Sequence, residues 1–181
     1  LLLMIFGSTP VVIVGAILYQ TNLISYLRNI EIIAWTTLIF AILLYFADKF
    51  KVNKKLNAKL DFKTIFVIGC FQILALIPGV SRSGIVITAG RFLKFDRYDS
   101  TKISFYLSIP VIAGASFLGF KDLYKETTDF NSMILLTVFL SYFFSYFTIK
   151  YFLIFVKRFD LKLFVIYRVL LSVLLFNIIY F

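Results

Sequence analysis

The chain has 181 residues, of which 61% are hydrophobic and 19% aromatic, and its mean hydropathy is +0.96. Soluble domains average about 45–50% apolar residues, so this composition predicts a polytopic membrane protein. The net charge is +10. The basic residues lie in the gaps between apolar runs, where membrane proteins keep lysine and arginine, so we expect no nucleic-acid binding. The sequence lacks histidine, the commonest general base, and the single Cys70 excludes a disulfide framework.

Five apolar runs predict an all-α fold with about five spanning helices, because about 20 apolar residues cross a hydrocarbon core. The runs are Leu1–Tyr19, Ile32–Phe46, Ile103–Phe120, Met133–Val156 and Leu163–Phe181. Pro10 is expected to kink the first helix. Because the chain begins inside an apolar run and without Met, we also expect further residues upstream.

Two shorter apolar runs, Thr64–Ile77 and Ile85–Leu93, predict a different structure. The loops after Asp48 and Val156 are basic, which places them on the cytoplasmic side by the positive-inside rule. The gap at 91–102 is then also cytoplasmic, because 103–120 must carry the chain to the more balanced gap at 121–131. Residues 64–93 therefore enter and leave on the same side, as a re-entrant helix–loop–helix within one integral membrane domain, 1–181.

The turn between these two arms reads PGVSRSG and carries the chemistry of an anion site. Gly79 and Gly84 permit close backbone approach, and Ser81 and Ser83 can cap the second arm or donate to a ligand. Arg82 offers a planar fork of donors that matches phosphate, beside the unpaired N–H groups of a helix start expected near Gly84. The alternative is that Arg82 pairs with a carboxylate or a backbone carbonyl and only holds the bundle together.

The string PGVSRSGIV resembles the P-G-x-S-R-S-x-x-T signature of bacterial undecaprenyl-pyrophosphate phosphatases, and IGCFQILALI and FVIYRVL are also similar to that family. The resemblance implies hydrolysis of undecaprenyl pyrophosphate to undecaprenyl phosphate and phosphate, which recycles the lipid carrier of cell-wall peptidoglycan synthesis and gives bacitracin resistance. It implies a multi-pass protein of the bacterial plasma membrane, built from two inverted repeats. The chain would be the C-terminal two-thirds of such a protein, or one and a half of its two repeats.

The same resemblance assigns roles to the turn. Arg82, Ser81 and Ser83 are the implied catalytic residues. Gly79 and Gly84 are the candidate phosphate-binding residues, because the backbone N–H groups from Gly79 to Gly84 lie beside them. As a clamp, Arg82 would stabilise charge on the transferring phosphoryl group.

Three residues outside the turn are candidates for supporting roles. Val86 stands at the signature threonine, and Thr88, two residues on, would face about 200° away on a helix. Gln72 occupies a position where the family's first repeat carries a glutamate, and it suits a helix–helix hydrogen bond or a catalytic role. Arg168 either snorkels to the cytoplasmic surface or faces the site.

The family's acidic pair and histidine have no counterpart in this chain. The resemblance therefore implies a divalent cation, Mg²⁺ or Ca²⁺, whose ligands lie outside it, and no metal ligand within it. The expected partners are the lipid pyrophosphate and the membrane, and a homodimer stays open. The rival function is a phosphate or lipid-phosphate transporter or flippase, since broken helices also present their N-termini to anions in transporters.

Overall fold

A computed structural model describes residues 2–21, 27–52, 60–123 and 132–180. Over these ranges the chain forms seven α-helices and one 3-10 helix, and it contains no strand. The 3-10 helix (Leu74–Leu76) directly follows α3. The α-helices are α1 (Leu2–Thr21), α2 (Ile30–Asp48), α3 (Phe62–Ile73), α4 (Arg82–Phe92), α5 (Arg97–Leu123), α6 (Ser132–Arg158) and α7 (Lys162–Tyr180). The predicted all-α class is confirmed for these residues.

Four of the described helices are long and apolar enough to cross a membrane: α1, α2, α7 and the segment Met133–Arg158 of α6. They correspond to four of the five runs predicted to span. The fifth run, 103–120, lies inside α5. That it crosses the membrane stays a prediction. Pro10 lies within α1, which continues through it as one helix.

The two short arms appear as α3, with 12 residues, and α4, with 11 residues. At 1.5 Å per residue each is about 17 Å long, roughly half of a hydrocarbon core. Ile77 is extended (φ −76°, ψ 126°), as the residue before a proline prefers, so the helix has ended before Pro78. The second arm begins at Arg82 rather than near Gly84, because Ser81 adopts an extended conformation and caps the helix two residues earlier than expected.

The arms pack against the long helices through close backbone contacts. α1 lies along α3, α2 along α7, and α4 along α5. A methyl group on Gly69 would overlap the carbonyl oxygen of Gly7, and one on Gly90 would approach Ser100 Oγ to 2.7 Å. A core of buried apolar residues from both arms and α5 fills the space between them; it includes Ile65, Ile68, Ile85, Val86, Ala89, Phe95, Ile103 and Leu107.

An ion-pair cluster joins several helix ends at one end of the bundle. Asp48, at the end of α2, is 8% exposed and accepts hydrogen bonds from Arg97 Nε and Nη2 at 2.6 and 3.0 Å. Arg97 Nη2 also lies 2.7 Å from Asp160, in the turn between α6 and α7. The hydrogen bonds to Asp48 raise the pKa of Arg97 above its ordinary value. The start of α5 is thus fixed to α2 and to the α6–α7 turn.

Arg91 anchors the end of α4 in the same cluster. Its Nη2 donates to the carbonyls of Asp48 and Phe50 at 2.8 and 2.7 Å, and its Nη1 donates to that of Phe95 at 2.8 Å. The side chain is almost fully buried. These bonds hold the outer end of the second arm against the end of α2.

Other contacts define the opposite end of the bundle. Tyr180 Oη lies 3.3 Å from Glu31 Oε1, which brings the end of α7 to the start of α2. Deeper in the bundle, Ser172 donates to the carbonyl of Ala34 at 2.9 Å. Residues 53–59 of the basic loop and most of the balanced gap, at 124–131, lie outside the described residues.

The arrangement yields a test of topology. In a Cys70→Ser background of the full-length protein, cysteines at Lys63 and Lys94 should react with an impermeant thiol reagent from the same side of the membrane. Both positions are exposed at the outer ends of the arms. A cysteine at Arg28, before α2, should react only from the other side. Labelling of positions 63 and 94 from opposite sides would show that residues 64–93 cross the membrane.

Candidate functional site

The turn between the arms is held close to α2 by a glycine. Gly79 has φ +88°, in the left-handed region that favours glycine. A methyl group there would overlap the hydroxyl of Thr36 and lie 2.7 Å from the carbonyl oxygen of Ile33. Any larger residue at Gly79 would push the turn away from α2.

The carbonyl groups of the turn receive hydrogen bonds from the surrounding helices. Thr36 Oγ1 lies 2.7 Å from Pro78 O, and Thr37 Oγ1 lies 3.3 Å from Gly79 O. The two threonines are in the first half of α2, several residues from either end. The sequence reasoning missed them, although a pair of hydroxyl residues inside an apolar run was a usable signal.

Arg168 faces the turn. Its Nη2 donates to Gly79 O at 2.7 Å, and a methyl group on Gly84 would lie 3.5 Å from its Nη1. Its Nε is buried and makes no hydrogen bond within the described residues. Of the two alternatives for Arg168, the structure therefore supports the one in which it faces the site. It reaches both the beginning of the turn and the start of α4.

The two serines of the turn lie together at the start of α4. Ser81 Oγ accepts a hydrogen bond from Gly84 N at 3.2 Å as the N-cap, and it lies 3.2 Å from Ser83 Oγ. Ser83 is exposed. Helix geometry leaves the N–H groups of Arg82 and Ser83 without partners inside α4, so they can donate to a ligand.

Arg82 differs from Arg91, Arg97 and Arg168, which all donate to oxygen atoms of the protein. It is partly exposed and makes no hydrogen bond or ion pair with any residue in the described ranges. The ion-pair cluster at Arg91 is nine residues further along α4, about 14 Å away at helical rise. The role of holding the bundle through a backbone carbonyl, considered above for Arg82, is filled by Arg168. The guanidinium of Arg82 is thus available to an anion.

The remaining candidates are buried behind the turn. Thr88 is 1% exposed and its hydroxyl donates to Gly84 O at 2.8 Å, within its own helix. Val86, at the signature threonine, is also 1% exposed. Gln72 is fully buried, and neither its Oε1 nor its Nε2 has a partner among the described residues. A helix–helix hydrogen bond from Gln72 is therefore not formed by this part of the chain.

The described residues do not fit a metal ion, because they contain no group of three or more His, Cys, Asp or Glu side chains close enough to hold one. The carboxylates nearest to the arms in sequence accept hydrogen bonds from backbone N–H groups instead. Asp61 caps α3 by accepting from Thr64 N at 3.0 Å, and Asp96 accepts from Asp99 N at 2.6 Å. No residue of this chain is assigned to a cation.

The fold and the turn together define a class. This is an all-helical, multi-pass membrane protein in which two half-length helices meet deep in the bundle at a turn rich in hydrogen-bond donors.

Comparison with known proteins identifies the family. The family model described as bacitracin resistance protein BacA matches residues 1–174. The chain is 55% identical over 179 residues to the undecaprenyl-diphosphatase of Pelagibacter ubique, covering 98% of this chain and 70% of that protein. It is 39% identical over 173 residues to the enzyme of the same name from Elusimicrobium minutum, covering 96% of this chain and 65% of that protein. The chain belongs to the BacA family of undecaprenyl-diphosphatases.

The bond from Arg168 to Gly79 predicts a change in the turn when it is removed. In the full-length protein in detergent, Arg168→Met should speed hydrogen exchange of the backbone amides in the Pro78–Gly84 turn by about tenfold or more, since a hydrogen bond from a charged donor contributes about 1.5–3 kcal/mol. Tyr167→Phe, an exposed change one residue away, is the matched control and should leave exchange unchanged. Equal exchange in wild type and Arg168→Met would show that Arg168 does not hold the turn.

Proposed function

We propose that the full-length protein removes the terminal phosphate of undecaprenyl pyrophosphate, and that the turn at Pro78–Gly84 binds the pyrophosphate group. The observation that carries the proposal is Arg82: a partly exposed guanidinium, unpaired among the described residues, at the start of a helix whose preceding turn is bonded to α2, in a chain of the BacA family. The relatives are named undecaprenyl-diphosphatase, and the chain spans 59–70% of the length of three of them. The activity of the whole protein is therefore proposed from this part of it.

In the proposed reaction, water adds its oxygen to the terminal phosphorus, and the bond from that phosphorus to the bridging oxygen breaks. The products are undecaprenyl phosphate and inorganic phosphate. Such a transition state carries charge on the phosphoryl oxygens, so catalysis depends mainly on positioning and charge neutralisation. The proton released by water goes to a base that we do not assign within this chain.

Several residues of the turn would bind and position the phosphoryl group together. Arg82 would bind phosphoryl oxygens through two parallel hydrogen bonds, and the N–H groups of Arg82 and Ser83 would donate to the same group. Ser83, which is exposed, would donate its hydroxyl hydrogen to the ligand, while Ser81 Oγ remains the cap of Gly84 N. Gly79 and Gly84 contribute by close approach of the backbone. Arg168 would hold the turn and add a second positive charge beside it.

Gln72 and Thr88 are proposed only as supporting residues. Gln72 presents an amide with no partner in the described bundle, so it is free to bond a group outside these residues. Thr88 supports the start of α4 through its bond to Gly84 O. A divalent cation, Mg²⁺ or Ca²⁺, would supply additional charge neutralisation, with its ligands outside this chain.

The finer architecture belongs to the same proposal. We infer about five spanning helices, a re-entrant pair at 64–93, and one and a half of two inverted repeats, in the bacterial plasma membrane. The half-length arms and the position of the turn beside the interior of α2 support the re-entrant pair. The exposed apolar faces of the long helices would contact lipid and the prenyl chain. Substrate recycling would then support peptidoglycan synthesis and bacitracin resistance, and homodimerisation remains an open part of the proposal.

The direct test is phosphate release from undecaprenyl pyrophosphate by the purified full-length protein in detergent. Release with multiple turnovers supports the proposal. Counterflow of phosphate or lipid phosphate in proteoliposomes, without release, would instead identify a transporter.

The proposal predicts a large loss of activity on substituting Arg82. Arg82→Ala should lower kcat/KM for phosphate release by about 10²-fold or more, the scale seen when one donor to a developing oxyanion is removed. Arg82→Lys should restore little, because a point charge cannot form the paired bonds of a guanidinium. Lys94→Ala, at the exposed far end of α4, is the matched control and should retain activity. Near-normal turnover of either Arg82 variant would refute the clamp.

A second prediction concerns the chain by itself: residues 1–181 alone should release no phosphate from undecaprenyl pyrophosphate. The turn supplies one arginine, two hydroxyls and N–H groups, and α7 adds Arg168, but the described residues supply neither a histidine nor a carboxylate cluster that could hold a metal. Assays of the 181 residues and of the full-length protein, with Mg²⁺ or Ca²⁺ present, compare the two directly. Turnover by the 181 residues would place the base among the nine carboxylates of the chain.

A further inference from the structure

An open cavity of about 470 Å³ lies beside the ion-pair cluster, at the far end of α4 from the turn. It is formed by the end of α4, the start of α5, the end of α6 and the residues that follow α2. Its volume is within the range of about 300–1,000 Å³ that is typical of small-molecule sites. The cavity is therefore large enough to hold a small polar group.

Positive charge predominates in the cavity lining. Arg91, Arg97 and Lys157 line it, with Asp96 as the one acidic side chain of the lining. Asp96 is engaged in the bond from Asp99 N at 2.6 Å. The lining thus carries two more positive than negative charges, although Asp48 and Asp160 lie behind it and pair with Arg97.

Two lysines, of which Lys157 itself lines the cavity, lie over the ring of the lining residue Tyr98. The Nζ atom of Lys157, from α6, is 4.3 Å from the centroid of the Tyr98 ring, and that of Lys102, from α5, is 4.5 Å from it. Neither lysine forms an ion pair within the described residues. Asp99, one turn before Lys102 on α5, offsets part of this charge. Both ammonium groups are nevertheless held within 4.5 Å of the centre of one ring of the cavity lining, which concentrates positive charge at that side of the cavity.

Arg97 adds to the cavity a hydrogen-bond donor that no described residue occupies. Its Nε and Nη2 are taken by Asp48 and Asp160, whereas its Nη1 makes no bond among the described residues. Its side chain is 33% exposed, so this group can reach a ligand in the cavity. Arg91 is nearly buried and contributes its charge rather than a contact.

We propose that this cavity is a second anion site, which binds the phosphodiester headgroup of an anionic phospholipid. Guanidinium and ammonium donors match a phosphate group, and Val52 and Val156 give the site an apolar edge for the glycerol carbons. The cavity is at the basic end of the bundle, which the positive-inside rule assigns to the cytoplasmic leaflet, where anionic lipids concentrate. About 14 Å of helix separates it from Arg82, so it is distinct from the turn. The site does not depend on the proposed hydrolysis.

The test compares lipid binding by two variants of the purified full-length protein in detergent. The first carries Lys102→Gln together with Lys157→Gln. The second carries Lys150→Gln, an exposed lysine two turns from Lys157 on α6, as the matched control. The probes are dihexanoyl phosphatidylglycerol, dihexanoyl phosphatidylcholine and inorganic phosphate, with binding followed by native mass spectrometry. Phosphate release from lipid pyrophosphate is measured in parallel.

We expect phosphatidylglycerol to bind the wild type in preference to phosphatidylcholine. The double variant should bind it about 25-fold more weakly, or about fivefold for each lysine, and the Lys150→Gln variant should bind it as the wild type does. Phosphate release should be unchanged in both variants. Binding of inorganic phosphate with the same lysine dependence would support the site with a soluble phosphate as its ligand. Equal phosphatidylglycerol binding by the double variant and the wild type, or an equal loss in the control, would overturn the proposal.

Discussion

The arrangement of the candidate site depends on the hydrogen bonds to the carbonyl groups of Pro78 and Gly79. Non-helical backbone inside a bilayer is tolerated only when its polar groups are satisfied, because no bulk water is available to them. Thr36 and Thr37 from α2 and Arg168 from α7 satisfy these two carbonyls. The packing of α2 along α7 is what brings the three donors together. The turn therefore depends on tertiary packing as well as on its own sequence.

The ion-pair cluster provides the second constraint, at the outer end of the arms. Asp48 is nearly buried and receives Arg97, while Arg91 donates to three backbone carbonyls around it. Removing one partner of such a buried group leaves an uncompensated charge, which costs far more than the pair contributes. With the turn anchored at one end and Arg91 at the other, α4 cannot slide along its axis. The position of Arg82 relative to α2 and α7 is fixed as a result.

The sequence was sufficient for the features that depend on local pattern. The two short apolar runs predicted α3 and α4, and the serines of the turn predicted a cap, although the start of α4 was placed two residues late. The sequence was not sufficient to predict the contacts of a side chain that can reach two environments. Arg168 could reach the surface or the turn, and its direction depends on how α7 packs against α2. Thr36 and Thr37 were missed for the same reason, since their partners are about 42 residues away in the chain.

A comparison of the arginines explains why Arg82 is the strongest ligand candidate. Arg91, Arg97 and Arg168 all donate to oxygen atoms of the protein, through carbonyls or carboxylates. Arg82 has no such acceptor within the described residues, yet it lies at the N-terminus of a helix, where the helix dipole already disfavours a positive charge. A cation there is unfavourable for the protein alone and becomes favourable when an anion is bound beside it. The electrostatic cost of a cation at this helix N-terminus is the physical argument for the proposed phosphate site at Arg82.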